Sequence, residues 1–524
     1  MESLVREGMV GTVGAPREPT SAERWALRVV QVGAVLVVLA AVTDRAFELD
    51  RFFIPKEAVL HLTALFAGLL AAGGFRRVEL TRVDLCLAGY LLLSLASALV
   101  AQEGELAWRA LAVSVSGVAV FWTARTLRSA GLGRPLMRLL ALAIMVGAVT
   151  SLLQAYGITS DFFSINRAPG GTLGNRNSIA HMAAFGLPVV LLVALRAWRS
   201  AGYVLGAAGT MIIIVSLILT RSRAGWLAFA AVIAVMLAAM LLSRPLRRHG
   251  RTWGRLVGIV LLIGAGVAIA VLVPNSLRWR SDNPYLESVT GIANFQEGSG
   301  RGRLVQYRQS LRMAIDHPIF GIGPGNWPEV YPDYAAPNDP SMSPSRPGET
   351  ANPWPSSDWV AVVAERGFPA AALFAAALLG TGVLALRRLI RARDPDEGLL
   401  AAGLLATVVA TLVAGAFDAV LLLAHPTLLV WAAIGAMWPA RVAPKDSPWP
   451  DSDSAPGPEP ADAPRKRLQS VILVAVALAA GAGAARSIAQ LSTMTIVGTL
   501  QPAQLLEEPI YAAHHVYGYE ITLE

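Results

Sequence analysis

Long apolar segments alternate with short polar connectors along this chain, and the alternation breaks once. Windows of about nineteen residues, enough helix to cross a roughly 30 Å hydrocarbon core, pick out apolar segments near 26–43, 58–75, 84–101, 108–124, 136–156, 178–195, 202–220, 224–242, 256–273, 358–386, 398–416, 419–438 and 468–487. Between the ninth and tenth lies a mostly polar block at 274–357, rich in Gly, Pro and Trp and too long for a helix connector. The pattern predicts an all-α polytopic membrane protein with about 12–13 transmembrane helices and one large, partly helical loop outside the bilayer.

Within the block, a helical run ends in D-H-P-I-F-G-I-G-P-G-N-W (Asp316 to Trp327). Proline pushes the residue before it out of the α region, and Gly321, Gly323 and Gly325 allow backbone conformations closed to other residues. The segment N-P-W-P-S-S-D-W-V-A-V-V-A-E-R-G (Asn352 to Gly367) then leads back into the membrane. The expected organisation is about nine N-terminal helices in 1–273, a loop domain at 274–357 and the remaining core helices in 358–440. A disordered linker rich in Pro, Ser and Asp follows at 441–467, then one extra helix and a tail at 468–524. The first apolar run starts near Leu27 behind a mixed-charge lead, so it reads as a retained helix rather than a cleaved signal.

Composition agrees: 54% of residues are apolar, 15% are charged, and mean hydropathy is +0.52. The net charge of +8 rests almost wholly on arginine, since lysine occurs only at 56, 445 and 466. Short cytoplasmic loops carry excess Lys/Arg. With the N-terminus inside, the inner loops hold Arg76, Arg77 and Arg82, then Arg125, Arg128, Arg134 and Arg138, then Arg196 and Arg199. Arg244 to Arg255, Arg387 to Arg393 and Arg465 to Arg467 fall on the same side. This places the large loop and the C-terminus outside. Arginines in short connectors do not make the aromatic-interleaved soluble face of a nucleic-acid binder, so no nucleic-acid partner is expected. A single cysteine, Cys86, leaves no intramolecular disulfide or cysteine metal site. No histidine pair has convincing ligand spacing, and neither metal nor cofactor is expected.

Some arginines break the topology rule. Arg167 and Arg176 precede the sixth span, Arg221 and Arg223 sit in the tight turn T-R-S-R-A-G, and Arg278 to Arg312, including Arg301 and Arg303, lie in the large loop. They could pair with carboxylates at the interface or snorkel towards headgroups; their convergence on one surface favours an anion pocket, because guanidinium forks bind phosphate bidentately. The turn G-G-T-L-G-N-R-N-S-I-A-H (Gly170 to His181) reads either as backbone N–H groups facing an anion, with Asn177 or Ser178 capping the next helix, or as a simple re-entry turn. His317 reads most simply as a helix C-cap before Pro318.

These strings resemble the O-antigen ligase and polymerase family of bacterial inner membranes. The likeness is carried by G-T-L-G-N-R-N, S-R-A-G-W, R-L-V-Q-Y leading through M-A-I-D-H-P-I-F-G-I-G-P-G-N-W, and D-W-V-A-V-V-A-E-R-G, in that order over roughly residues 140 to 440. The resemblance implies ligation or polymerisation of an undecaprenyl-diphosphate-linked glycan at the periplasmic face, without a metal, onto a lipid A core or another glycan. It puts Arg223 and Arg303 on the diphosphate; Arg176, Arg221 and Arg301 are further local candidates. The family's base for the acceptor hydroxyl is a histidine, and Ser356 stands in its place here. A transferase would then draw its base from Asp358, Glu349 or His317, in that order. Two other classes stay open: a non-catalytic subunit that binds lipid-linked glycan, and a polysaccharide transporter, although the spans hold few of the ionisable groups that transport uses.

Overall fold

The computed structural model describes residues 18–43, 50–164, 167–197, 199–279, 283–291, 298–344, 347–439 and 463–499. It is 78% helix, with no strands among the described residues. The first half supplies α1 (Ser21–Leu39), α2 (Asp50–Phe75), α3 (Arg82–Leu99), α4 (Gly104–Ser129), α5 (Gly133–Ala155), α6 (Arg176–Leu195), α7 (Ser200–Thr220), α8 (Arg223–Leu242), the short α9 (Arg244–Arg248) and α10 (Gly250–Leu272). The loop block holds α11 (Pro284–Thr290), α12 (Gly298–Asp316) and α13 (Trp327–Tyr334). Then come α14 (Asp358–Arg391), α15 (Pro395–Gly415), α16 (Ala424–Met437) and α17 (Ala463–Thr499).

Each expected apolar segment is a helix, and among the described residues eleven are long and apolar enough to cross a membrane. This is a multi-pass membrane protein. The two that fall short have local causes. α1 opens with Glu23, Arg24 and Arg28. α16, at 14 residues, rises only about 21 Å, because residues 419–423, expected to open this helix, form an irregular turn with 416–418 instead. Such backbone is tolerated at membrane depth only when buried in protein, and Ala419, Val420 and Leu421 are indeed buried.

α6 is the axis. It packs against α5, α7, α8 and α15, and 94% of its apolar window is buried, as expected of a helix apolar on every face. α17 lies along α2 and α4. Of the expected linker, 441–462 lies outside the described residues and 463–467 already belong to α17; the tail beyond Thr499 lies outside them too. The basic connectors gather at one end of the bundle: Asp84 takes the guanidinium of Arg125 and the indole N–H of Trp122, and Asp396 pairs with Arg196 and Arg134. The loop block sits at the other end, with Glu57 holding Arg109 at 2.9 Å and Glu105 holding Arg486 at 3.1 Å.

The loop has its own small core of Met313, Ile322, Trp327, Val330 and Tyr331, and it docks on α14 through backbone. Ile322 and Gly323 donate to the carbonyls of Ala364 and Glu365 at 3.1 and 2.9 Å, and Phe368 donates to Pro318 at 2.9 Å. Gly367, at φ 76°, breaks α14 there. A Cβ on Gly367 would meet the Ile319 carbonyl at 2.3 Å, and one on Gly321 would meet Glu365 backbone at 2.3 Å. The strings H-P-I-F-G-I-G and A-E-R-G are thus two halves of one joint.

Candidate functional site

At the loop end a cavity of about 1180 Å³ is built from four parts of the chain. The start of α6 contributes Arg176, Asn177 and His181, with Arg167 just before it. The first turns of α12 contribute Arg301, Arg303 and Gln306. Loop residues 336–341 and 352–356 and the 416–423 turn close it.

The turn before α6 shows how local sequence places the first wall. Residues Gly171–Leu173 make one 3-10 turn, and Gly174 follows at φ 75°. The Phe52 ring lies 2.3 Å from where a Cβ on Gly174 would sit. Buried Lys56 on α2 donates to the Thr172 carbonyl at 2.8 Å and to that of Ala40. The turn's own N–H groups are used internally: Gly171 donates to Gln154 Oε1 at 2.8 Å and Arg176 to the Arg167 carbonyl at 3.1 Å. It is therefore a re-entry turn rather than a set of N–H groups facing an anion. Asn175, rather than Asn177 or Ser178, is the cap, its side chain accepting from the Asn177 N–H at 2.9 Å.

Of the five expected arginines, Arg176, Arg301 and Arg303 line the cavity, and Arg167 joins them. Among the described residues none of these four makes an ion pair. Arg221 and Arg223 do not line it. Arg221 caps α7 in a left-handed conformation (φ 54°), donates from Nε to Ser288 Oγ at 3.0 Å and pairs with Glu287 at 3.1 Å. Arg223 donates to the Gly291 carbonyl at 2.8 Å. α11, which no motif announced, and Gly291 just after it supply their partners. Arg221 keeps one link to the site: its guanidinium and that of Arg176 lie 4.7 and 5.7 Å from the Trp279 ring.

The three carboxylate and imidazole candidates are placed elsewhere. Asp358 is fully buried, and its oxygens accept the backbone N–H groups of Val420 and Leu421 at 2.9–3.1 Å. It clamps the 416–423 turn instead of facing the cavity. Glu349 is exposed on the loop, where its carbonyl accepts from Ser343 at 2.8 Å. His317 is exposed just past the far end of α12, fourteen residues and therefore about 21 Å along the axis from Arg303. It closes the helix by donating its N–H to the Met313 carbonyl at 3.0 Å.

Ser356 does line the cavity. Its N–H donates to Gln306 Oε1 at 2.7 Å, and the Tyr307 hydroxyl lies 2.7 Å from both the Ser356 and the Ala416 carbonyls. Burial pushes the Tyr307 phenol up to about 12, with Arg303 working against that and Asp418 with it, so Tyr307 stays a neutral donor flanked by both charges. Sequence reasoning missed the polar side chains that knit this floor, above all Asn177, which donates from Nδ2 to Asp418 Oδ2 at 3.0 Å across 241 residues of chain. Only the presence of a carboxylate in an apolar run signalled Asp418.

Residues 208–375 match the family model Wzy_C, described as O-antigen ligase. The match runs from α7 through the loop block into α14. A search of the curated proteins finds no match.

Proposed function

From the match of residues 208–375 to the O-antigen ligase family model, a family of glycan transfer, we propose that the chain moves a glycan from undecaprenyl diphosphate to an acceptor at the periplasmic face of a bacterial inner membrane. The observation that carries this reading is the set of four arginines around one cavity, unpaired among the described residues. Arg176 and Arg301 are exposed and Arg167 and Arg303 half-buried, so mutual repulsion rather than desolvation favours an anionic partner, and a diphosphate supplies two or three negative charges in the geometry that guanidinium forks match. Arg176 opens α6 and Arg301 and Arg303 lie in the first turns of α12, so two positive helix ends add to the field.

At about 1180 Å³ the cavity exceeds what a diphosphate fills and leaves room for sugar residues. In this reading Arg303 and Arg176 hold the leaving diphosphate, Arg301 and Arg167 stand beside them, and the acceptor is a lipid A core or a second lipid-linked glycan. The arginine-rich end of the bundle faces the cytoplasm by the positive-inside rule, which puts the cavity on the periplasmic side. The Ser356 substitution favours a second reading, a subunit that binds lipid-linked glycan without transferring it. Purified protein in lipid nanodiscs separates the two. Release of undecaprenyl diphosphate from lipid-linked glycan in the presence of acceptor supports transfer, whereas tight binding with no release supports the subunit. Absence of undecaprenyl-diphosphate binding sinks both.

A further inference from the structure

A hydroxyl that attacks a sugar needs a proton acceptor within about 2.6–3.2 Å, and none of the residues expected for that role reaches the cavity. Two carboxylates and one imidazole do: Asp339, Asp418 and His181. Asp339 is set apart by burial: it is only 6% exposed, with Oδ2 accepting from the Tyr331 hydroxyl and Oδ1 from the Ser341 N–H, both at 2.8 Å.

Asp418 differs. Its Oδ1 accepts the Ala419 N–H at 2.9 Å and its Oδ2 accepts one bond, from Asn177 at 3.0 Å, while 19% of its side chain remains exposed. An ionised carboxylate oxygen has two acceptor sites, so Oδ2 can still receive a hydroxyl. Behind it lies His181, buried, with Nε2 3.9 Å from Oδ2 and without a hydrogen-bond partner; that gap is too long for a bond and closes with a shift of about 1 Å. The turn that presents Asp418 is held from both sides. Asp358 clamps the N–H groups of Val420 and Leu421, and Tyr307 and Ser357 bond the carbonyls of Ala416 and Gly415. These same contacts bring Asp418 to the floor that carries Ser356.

We propose that Asp418 is the catalytic base that replaces the missing histidine at Ser356, with Asn177 and His181 as positioning residues; this rests on the reading of the cavity as a glycan-transfer site. The acceptor oxygen forms a bond to C1 of the donor sugar as the bond from C1 to the diphosphate oxygen breaks. The diphosphate leaves with that electron pair and meets the arginines, and the hydroxyl proton passes to Asp418 Oδ2 and then to water.

The test uses full-length protein in nanodiscs, with undecaprenyl diphosphate as binding probe. Lipid-linked glycan and lipid A core extracted from the source bacterium's own membranes serve as substrates. Asp418→Asn should bind undecaprenyl diphosphate within threefold of wild type and lose about 10²–10⁴-fold in transfer rate. Formate should restore part of the rate to Asp418→Ala. His181→Gln should lower kcat about tenfold with KM unchanged, as expected when a group acts through the base rather than on the donor. Transfer by Asp418→Asn within threefold of wild type overturns the assignment, and so does joint loss of binding and transfer, which marks a structural role. Wild-type protein that binds undecaprenyl diphosphate and transfers nothing overturns the base while sparing the donor pocket; failure of the wild type to bind removes the pocket reading itself.

Discussion

Arg303 and Arg176 reach the cavity from different helices, α12 and α6, so each is expected to act on the diphosphate without depending on the other's fold. A charge-assisted hydrogen bond is worth roughly 1.5–3 kcal/mol. Arg303→Ala and Arg176→Ala should therefore each weaken undecaprenyl-diphosphate binding about tenfold to a hundredfold by titration. Arg303→Lys should recover only part, because it keeps the charge and loses the fork. Asp358 calls for the opposite signature. Its removal leaves the buried N–H groups of Val420 and Leu421 unpaired, at about 1–3 kcal/mol for each unsatisfied group. Asp358→Ala should lower the thermal midpoint in detergent by several degrees while leaving the arginines in place. The two aspartates also mark what could be read in advance. Asp358 could be singled out at the start of an apolar run, whereas Asp418 was not; which of them faces the cavity depends on hydrogen bonds to backbone some sixty residues away.

Among elements, apolar length located every spanning helix, since hydrophobic burial over a helix turn count is a local property. The turn at 416–423 was not legible for the converse reason: its composition is that of a helix, and long-range bonds from Asp358, Ser357 and Tyr307 hold it out of one. The glycine strings were recognisable as a pattern, but their role as a joint between loop and α14 needed the partner surface. At Gly367 the left-handed φ of 76° and a carbonyl 2.3 Å from the missing Cβ act together. With ψ at 170° this is a region essentially closed to other residues, at about 1–3 kcal/mol before any clash. Gly367→Ala should thus destabilise the fold by more than that, read as a fall in thermal midpoint, whereas Gly264→Ala, with open space around its Cβ position, should leave the midpoint within a degree or two.

For the whole molecule, the cavity has meaning only if it faces the compartment where the glycan is displayed. The connectors joined by Arg196, Arg134 and Asp396 and those around Arg125 and Asp84 lie at the end opposite the cavity, the end that faces the cytoplasm in the orientation proposed from the arginine bias. Reporter fusions at Ser243, Ser310 and Asp394 should read inside, outside and inside; an inside reading at Ser310 would put the cavity in the wrong compartment. The most direct measurement of the central claim is undecaprenyl-diphosphate binding by the full-length protein in nanodiscs, wild type against Arg176→Ala/Arg303→Ala, with Arg388→Ala at the opposite end as control. Loss of two charge-assisted contacts predicts about a hundredfold or greater weakening in the double variant and binding within threefold of wild type for the control. Equal binding by the double variant and the wild type would contradict the assignment of the cavity as the donor site.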